Sequence, residues 1–271
     1  MKKIRDFWVH AHFHVATAAV SLYALYAALT GSKINPLYAG WLFFVTVAYY
    51  TFLRLHHRKS LRECLAQWYA SHRRLLWVLW LLSLLAAGIF FWFLEKSIQW
   101  KIILTGLVAI FYHTDTRPKS ILSLRNTGIL KILIISLVWA SVVAWVPFSP
   151  SVSGINRVVL FMHAFLFVLL WTIPFDIRDL ALDEGALKTI PLIFKEKTFR
   201  YVLLAGMIYW CVTFYLFRLF PGPEAGIFAA GGFLLMAAVY FSRFFGRQYF
   251  YTAFWVEGIP IWLYLIYNII T

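Results

Sequence analysis

Acidic residues are scarce in this chain. Asp and Glu number 11 in 271 residues, and charged residues of both signs make up only 13%, against 62% hydrophobic residues. A soluble domain has too little polar surface at that composition to cover its apolar content, so a soluble fold is excluded. No hydrophilic stretch is long enough to form a separate soluble domain. Cysteine is nearly absent: Cys64 falls in a polar loop and Cys211 in an apolar run, which leaves neither a disulfide framework nor a paired-cysteine metal site. Ionisable residues are few through the middle of the apolar runs, mainly His163 and Glu257, which argues against a transporter's polar pathway.

What is present is a series of apolar runs of about the length that crosses a bilayer. Nine can be read, at roughly 10–29, 36–54, 75–94, 98–113, 129–148, 157–174, 200–219, 225–242 and 249–270. The fold class expected is all-α, a polytopic membrane protein of about nine transmembrane helices, with residues 1–271 as one integral membrane domain. Asp6, Trp8 and three histidines interrupt the start of the first run, which therefore reads as a membrane helix and not a signal peptide. Of the Lys and Arg residues, twenty fall on the N-terminal side of this arrangement and five (Lys33, Lys96, Lys101, Arg157 and Arg218) on the other. That asymmetry places the N-terminus in the cytoplasm and the C-terminus outside. A multi-pass protein of a bacterial inner membrane is expected. The net charge of +14 is explained mainly by this topology and by attraction to anionic lipid, with part of the basic surface available to an anionic substrate. No nucleic-acid partner is expected.

Three of the few acids cluster. Asp176, Asp179 and Asp183 are spaced i, i+3 and i+7, which puts them on one face of a helix. Three carboxylates so placed repel one another unless a hard cation sits among them, and Mg²⁺ with a diphosphate is the usual solution. Pro174 is expected to end the preceding membrane helix, leaving the triplet at the head of a cytoplasmic loop. A second loop carries Tyr112, Arg117, Pro118, Lys119 and Asn126, in which a guanidinium and an ammonium flank a stiffening proline. Both groups suit phosphate oxygens.

These motifs resemble those of the UbiA superfamily of intramembrane prenyltransferases. The family's second aspartate-rich motif reads D-x-x-D-x-x-x-D, then Gly and a Lys-Thr-x-Pro stretch; here stand Asp176, Asp179, Asp183, Gly185, Lys188, Thr189 and Pro191. The family's Y-S-x-x-x-R-x-K segment is matched by Tyr112, Arg117 and Lys119, with His113 in place of Ser, ahead of a helix led by Asn126. The resemblance implies a helical bundle around a central cavity open to lipid. It also implies Mg²⁺ held by Asp176, Asp179 and Asp183, which are the catalytic residues on this reading. Tyr112, Arg117, Lys119, Asn126, Arg178 and Lys188 would bind an isoprenyl diphosphate, whose prenyl group passes to a lipophilic, aromatic acceptor.

One motif departs from the family. Its first aspartate-rich sequence, N-x-x-x-D-x-x-x-D, belongs at the end of the second helix, where this chain reads Tyr50 to Ser60 with no acid. Arg54 and Arg58 are candidates to contact the diphosphate directly in its place. The alternative is a non-catalytic protein of the same fold that holds a lipid, a quinone or a partner membrane protein. Among the remaining polar residues, His10 and His14 are spaced i, i+4 with His12 on another face, and Glu257 lies about two turns into the last helix. Glu257 is a candidate for orienting an acceptor or pairing with a neighbouring helix.

Overall fold

A computed structural model describes residues 2–56, 63–114, 128–148, 154–179, 198–245 and 248–271; at 2, 63–64, 111–114, 128–129, 179, 198–201 and 243 the description covers the backbone alone. All regular structure among the described residues is helical: α1 Lys2–His10, α2 Phe13–Leu29, α3 Pro36–His56, α4 Glu63–Ser71, α5 Arg73–Phe93, α6 Lys96–Thr114, α7 Gly128–Ala140, α8 Gly154–Asp179, α9 Thr198–Leu219, α10 Pro223–Phe245 and α11 Ile259–Ile270. Two π-helical turns, Ser141–Trp145 and Tyr251–Val256, extend α7 and precede α11. Helices satisfy every backbone group within one segment, which the hydrocarbon interior demands.

Helices lie over all nine apolar runs. Among the described residues, six are long and apolar enough to cross a membrane, or seven if the bent pair α1–α2 counts as one span; Leu130–Trp145 is a shorter apolar helix. The first run does not form one helix as expected. It breaks between α1 and α2, which are inclined at 64°, and His12 at the break has φ 65°, the only positive φ at a non-glycine described residue. The break turns α1 against α4 and the segment before the last π-turn: the His10 ring stands 4.8 Å from Trp68 and 5.3 Å from Tyr249. The hydroxyl of Tyr69 on α4, which burial pushes above its ordinary pKa range, donates to the His10 carbonyl at 3.0 Å.

The centre of the bundle is α2. Ala16, Ala18, Ala19, Leu22, Ala24, Leu25 and Tyr26 are all buried, and small residues of this kind let neighbouring helices approach closely. α8 packs beside α7, α9 and α10, while α2 meets α3 and α11. A buried chain of hydrogen bonds crosses this centre. Tyr26 donates to His163 Nδ1 at 2.8 Å, and His163 Nε2 donates to Thr213 Oγ1 at 3.0 Å, whose own hydroxyl donates to the Tyr209 carbonyl. α5 differs sharply: only Leu76, Ser83 and Ala87 are buried, and Leu82, Ile89 and Trp92 stand exposed as a face for lipid.

The end of the bundle remote from α1 is built from local caps. Asn35 Oδ1 accepts from the backbone N–H groups of Leu37 and Tyr38 at 3.0 and 3.2 Å, directly before Pro36 opens α3. Asparagine as cap and proline as first helical residue are both favoured there. α2 stops at Gly31, whose φ of 63° suits glycine, with Ser32 N–H bonded back to the Ala27 carbonyl and Gly31 N–H to Ala28.

Candidate functional site

At the α1 end, the α1–α2 break, the C-terminal ends of α3 and α8, the start of α7 and the last π-turn surround a cavity of about 190 Å³. Its wall carries Arg54 from α3, Lys131 from α7, Asp176 and Arg178 from α8, and Glu257 beyond the π-turn. Three cations and two acids thus line one cavity. The rest of the wall is largely apolar, with the rings of Tyr50, Trp139, Trp171, Phe175 and Tyr249 beside aliphatic side chains, and His12 lies among them.

α8 places its charges on two sides. Asp176 is buried and its Oδ1 accepts from Lys131 Nζ at 3.1 Å, toward α7. Two residues on, about 200° around the helix, Arg178 points the other way: its guanidinium donates to Thr252 Oγ1 at 3.1 Å and lies over the rings of Phe175 and Tyr249 at 5.4 and 5.8 Å. The end of α8 is held in place by Trp171, whose Nε1 donates to the Val256 carbonyl at 2.7 Å. The π-turn arranges this side. An α-helix sets residues five apart about 140° from each other, whereas i→i+5 bonding stacks them on one face. Glu257 N–H bonds to the Thr252 carbonyl at 3.0 Å; Thr252 meets Arg178, and Glu257 lines the cavity.

Several sequence expectations are modified. α8 does not end at Pro174 but runs through it to Asp179, so Asp176 and Asp179 belong to a helix and not to a loop. A proline is tolerated in a membrane helix because neighbouring groups re-satisfy the carbonyl it frees. His10 and His14 do not share a face, because the break at His12 separates them; His14 Nε2 instead meets the Phe254 carbonyl at 2.9 Å. His12, assigned to another face, lines the cavity. Glu257 lies within the last apolar span, Tyr251–Ile270, where its π-turn meets α11.

Of the site residues read from the sequence, Asp176, Arg178 and Arg54 come together. The side chains of Asp179 and Tyr112, and all of Asp183, Arg117, Lys119, Asn126, Lys188 and Arg58, lie outside the described residues. Among the described residues no three His, Cys, Asp or Glu side chains gather to hold a metal. Lys131 is absent from the sequence-based candidates, although a lysine between Leu130 and Ile132 at the head of an apolar helix is the signal that an ionisable group inside a membrane protein gives. Thr252 and Tyr249 had no such signal.

This arrangement can hold a polyanion. Arg54, Lys131 and Arg178 supply donors from three helices, Asp176 supplies a hard oxygen, and the aromatic wall suits an apolar chain. Comparison of the sequence with protein-family models and with curated proteins gave no match. A solved structure does match: the chain is similar to "Structure of a UbiA homolog from Archaeoglobus fulgidus bound to GPP and Mg2+", with a TM-score of 0.60 and 13% sequence identity, over 95% of this chain and 97% of that one. At such low identity it is the course of the backbone, followed over nearly the whole of both chains, that carries the relationship: this is a multi-pass helical membrane protein with a UbiA-like fold.

Proposed function

We propose that the protein is a prenyltransferase that moves an isoprenyl group from an isoprenyl diphosphate to a lipophilic, aromatic acceptor. The observation that carries this reading is the meeting of Arg54, Lys131 and Arg178 around Asp176 in one aromatic-walled cavity of a UbiA-like fold. The similar archaeal protein, bound to GPP and Mg2+, supports it. The three cations bind the diphosphate oxygens, and the prenyl chain lies along Tyr50, Trp139 and Trp171. As the C1–O bond breaks, the diphosphate leaves with the electron pair and these rings face the cationic carbon, which their π-electrons stabilise. The same wall keeps water from the cation. Tyr112, Arg117, Lys119, Asn126, Lys188 and Arg58 are likewise assigned to the diphosphate.

The residues suit Mg²⁺. The ion is ordinarily held by one or two carboxylates together with substrate phosphates, and Asp176 offers a hard carboxylate on the cavity wall one helical turn before Asp179. Asp176, Asp179 and Asp183 would hold it. Bound there, it would supply positive charge that neutralises the leaving diphosphate. Arg54 stands where the family's first aspartate-rich motif is absent, and in this reading its guanidinium does directly what a second ion would do through carboxylates.

The test is binding and turnover together. The purified full-length protein should bind GPP more tightly with Mg²⁺ than without it, and Asp176→Asn with Asp179→Asn should remove that dependence and prenyl transfer. Unchanged transfer in the double variant would overturn the reading. The lack of acids at the end of α3 favours a second reading, a non-catalytic lipid or quinone binder. It would be marked by Mg²⁺-dependent binding with no transfer to any of a panel of phenols and quinols.

A further inference from the structure

Joining a prenyl cation to an aromatic carbon leaves that carbon with a proton to lose, and none of the groups assigned above takes it. Arg54, Lys131 and Arg178 are cations, and Asp176 serves Lys131 and the metal. Two further groups on the wall have no role, Glu257 and His12, and His12 is the one whose proton position the structure fixes. Tyr69 spends its hydroxyl proton on the His10 carbonyl at 3.0 Å, so toward any other group its oxygen can only accept. His12 Nε2 stands 3.4 Å from that oxygen and therefore carries the ring proton. The lone pair falls on Nδ1, which makes no hydrogen bond among the described residues.

The backbone and the neighbouring rings agree with such a role. His12 holds a left-handed φ of 65°, a conformation that glycine would adopt without strain, so what histidine adds at the break is its ring. Strain of this kind gathers at functional sites. The ring stacks on Tyr69 at 6.2 Å and stands 5.8 Å from Tyr50, one of the rings that face the cationic carbon. We infer that His12 is the general base of prenyl transfer, with Nδ1 as the accepting atom. As C1 of the prenyl group bonds to the acceptor, the aromatic ring becomes an arenium cation. Nδ1 takes the proton from the newly bonded carbon, and the C–H electron pair restores the aromatic ring. The imidazolium then passes the proton to the departing diphosphate, so no further reactant is needed. An arenium ion is a far stronger acid than an imidazolium, and the transfer runs downhill even with Arg54 on the same wall. The inference rests on the reading of the cavity as a prenyltransferase site.

The experiment uses the full-length protein in nanodiscs with GPP, Mg²⁺ and a panel of phenols and quinols, each also supplied with deuterium on the ring. Wild type should show no isotope effect on kcat, because loss of the diphosphate is slower than loss of the proton. His12→Asn tolerates the left-handed backbone and offers no base. It should keep its GPP affinity, lose about a hundredfold in kcat and show a deuterium effect that wild type lacks. His12→Gly should be restored in part by added imidazole, and less by pyrazole, a weaker base of the same shape. A His12→Asn variant with the wild-type rate overturns the inference and leaves the transferase reading standing. So does one slowed with no isotope effect, together with no rescue of His12→Gly by imidazole. A wild type that transfers to no acceptor overturns both.

Discussion

The two ends of the bundle use polar residues in opposite ways. At the end remote from α1, the polar side chains that cap and pin the helices are spent on backbone or on a neighbour. Asn35 caps α3, the Tyr23 hydroxyl accepts from Asn35 N–H at 2.9 Å, Lys101 Nζ donates to the Phe148 carbonyl at 3.3 Å, and Tyr267 donates to Glu224 at 3.3 Å. At the α1 end, Arg54, Lys131, Asp176, Arg178 and Glu257 face a shared cavity. A lysine whose partner is a carbonyl closes a turn and is finished. A lysine, two arginines and two acids around a space form a charge pattern that a ligand can complete. The difference between scaffold and site in this protein therefore lies in what the polar groups face, because both ends are rich in them.

Substitutions should break that contrast unequally. The largest effect on function is expected from Asp176→Asn with Asp179→Asn: prenyl transfer should fall by about 10²–10³, the loss typical of removing charge stabilisation from a transition state, measured as initial rate at saturating GPP. If the rate stays within a few-fold, the α1-end cavity is not where chemistry occurs. Next, Arg178→Leu or Arg54→Leu should weaken GPP binding by roughly ten- to a hundredfold, since hydrogen bonds to charged groups contribute ~1.5–3 kcal/mol each, with titration of purified protein as the readout. Equal affinity in both variants and wild type would dissociate these guanidiniums from the ligand.

Stability should also change where a buried pair or a helix cap is removed. Lys131→Met removes the cation beside buried Asp176; a stability loss of about 1–3 kcal/mol is expected, and pairing it with Asp176→Asn should recover part of the lost thermal midpoint. At the other end, Asn35→Ala should cost about 1 kcal/mol through loss of the α3 cap and leave GPP affinity alone. A change in affinity there would mean that the two ends are coupled, and the contrast drawn above would fail. The smallest effect is expected from Lys101→Met, which loses one exposed-side contact to a backbone carbonyl: both midpoint and affinity should stay near wild type.

Much of this was legible along the chain. The apolar runs determined an all-helical membrane protein, because a 20-residue apolar stretch in lipid has few alternatives to a helix. Asp176, singled out in the sequence, lines the cavity, and the resemblance in the triplet and in the Tyr112 segment agrees with the UbiA-like course of the backbone. Arg54 stands in the sequence where the family's acids are missing. What tertiary structure alone decided was company and aim. Asp176 faces Lys131 from a helix 45 residues away, and Arg178 reaches Thr252 across 74 residues, separations that no local pattern encodes. The left-handed His12 turns α1 back over the cavity, and the π-turn swings Glu257 into it. Neither leaves a sequence signature, because a positive φ at histidine and an i→i+5 turn are local costs that only the surrounding packing sustains. The apolar pattern is read by the bilayer residue by residue, whereas the charged cavity exists only once five separate elements have met.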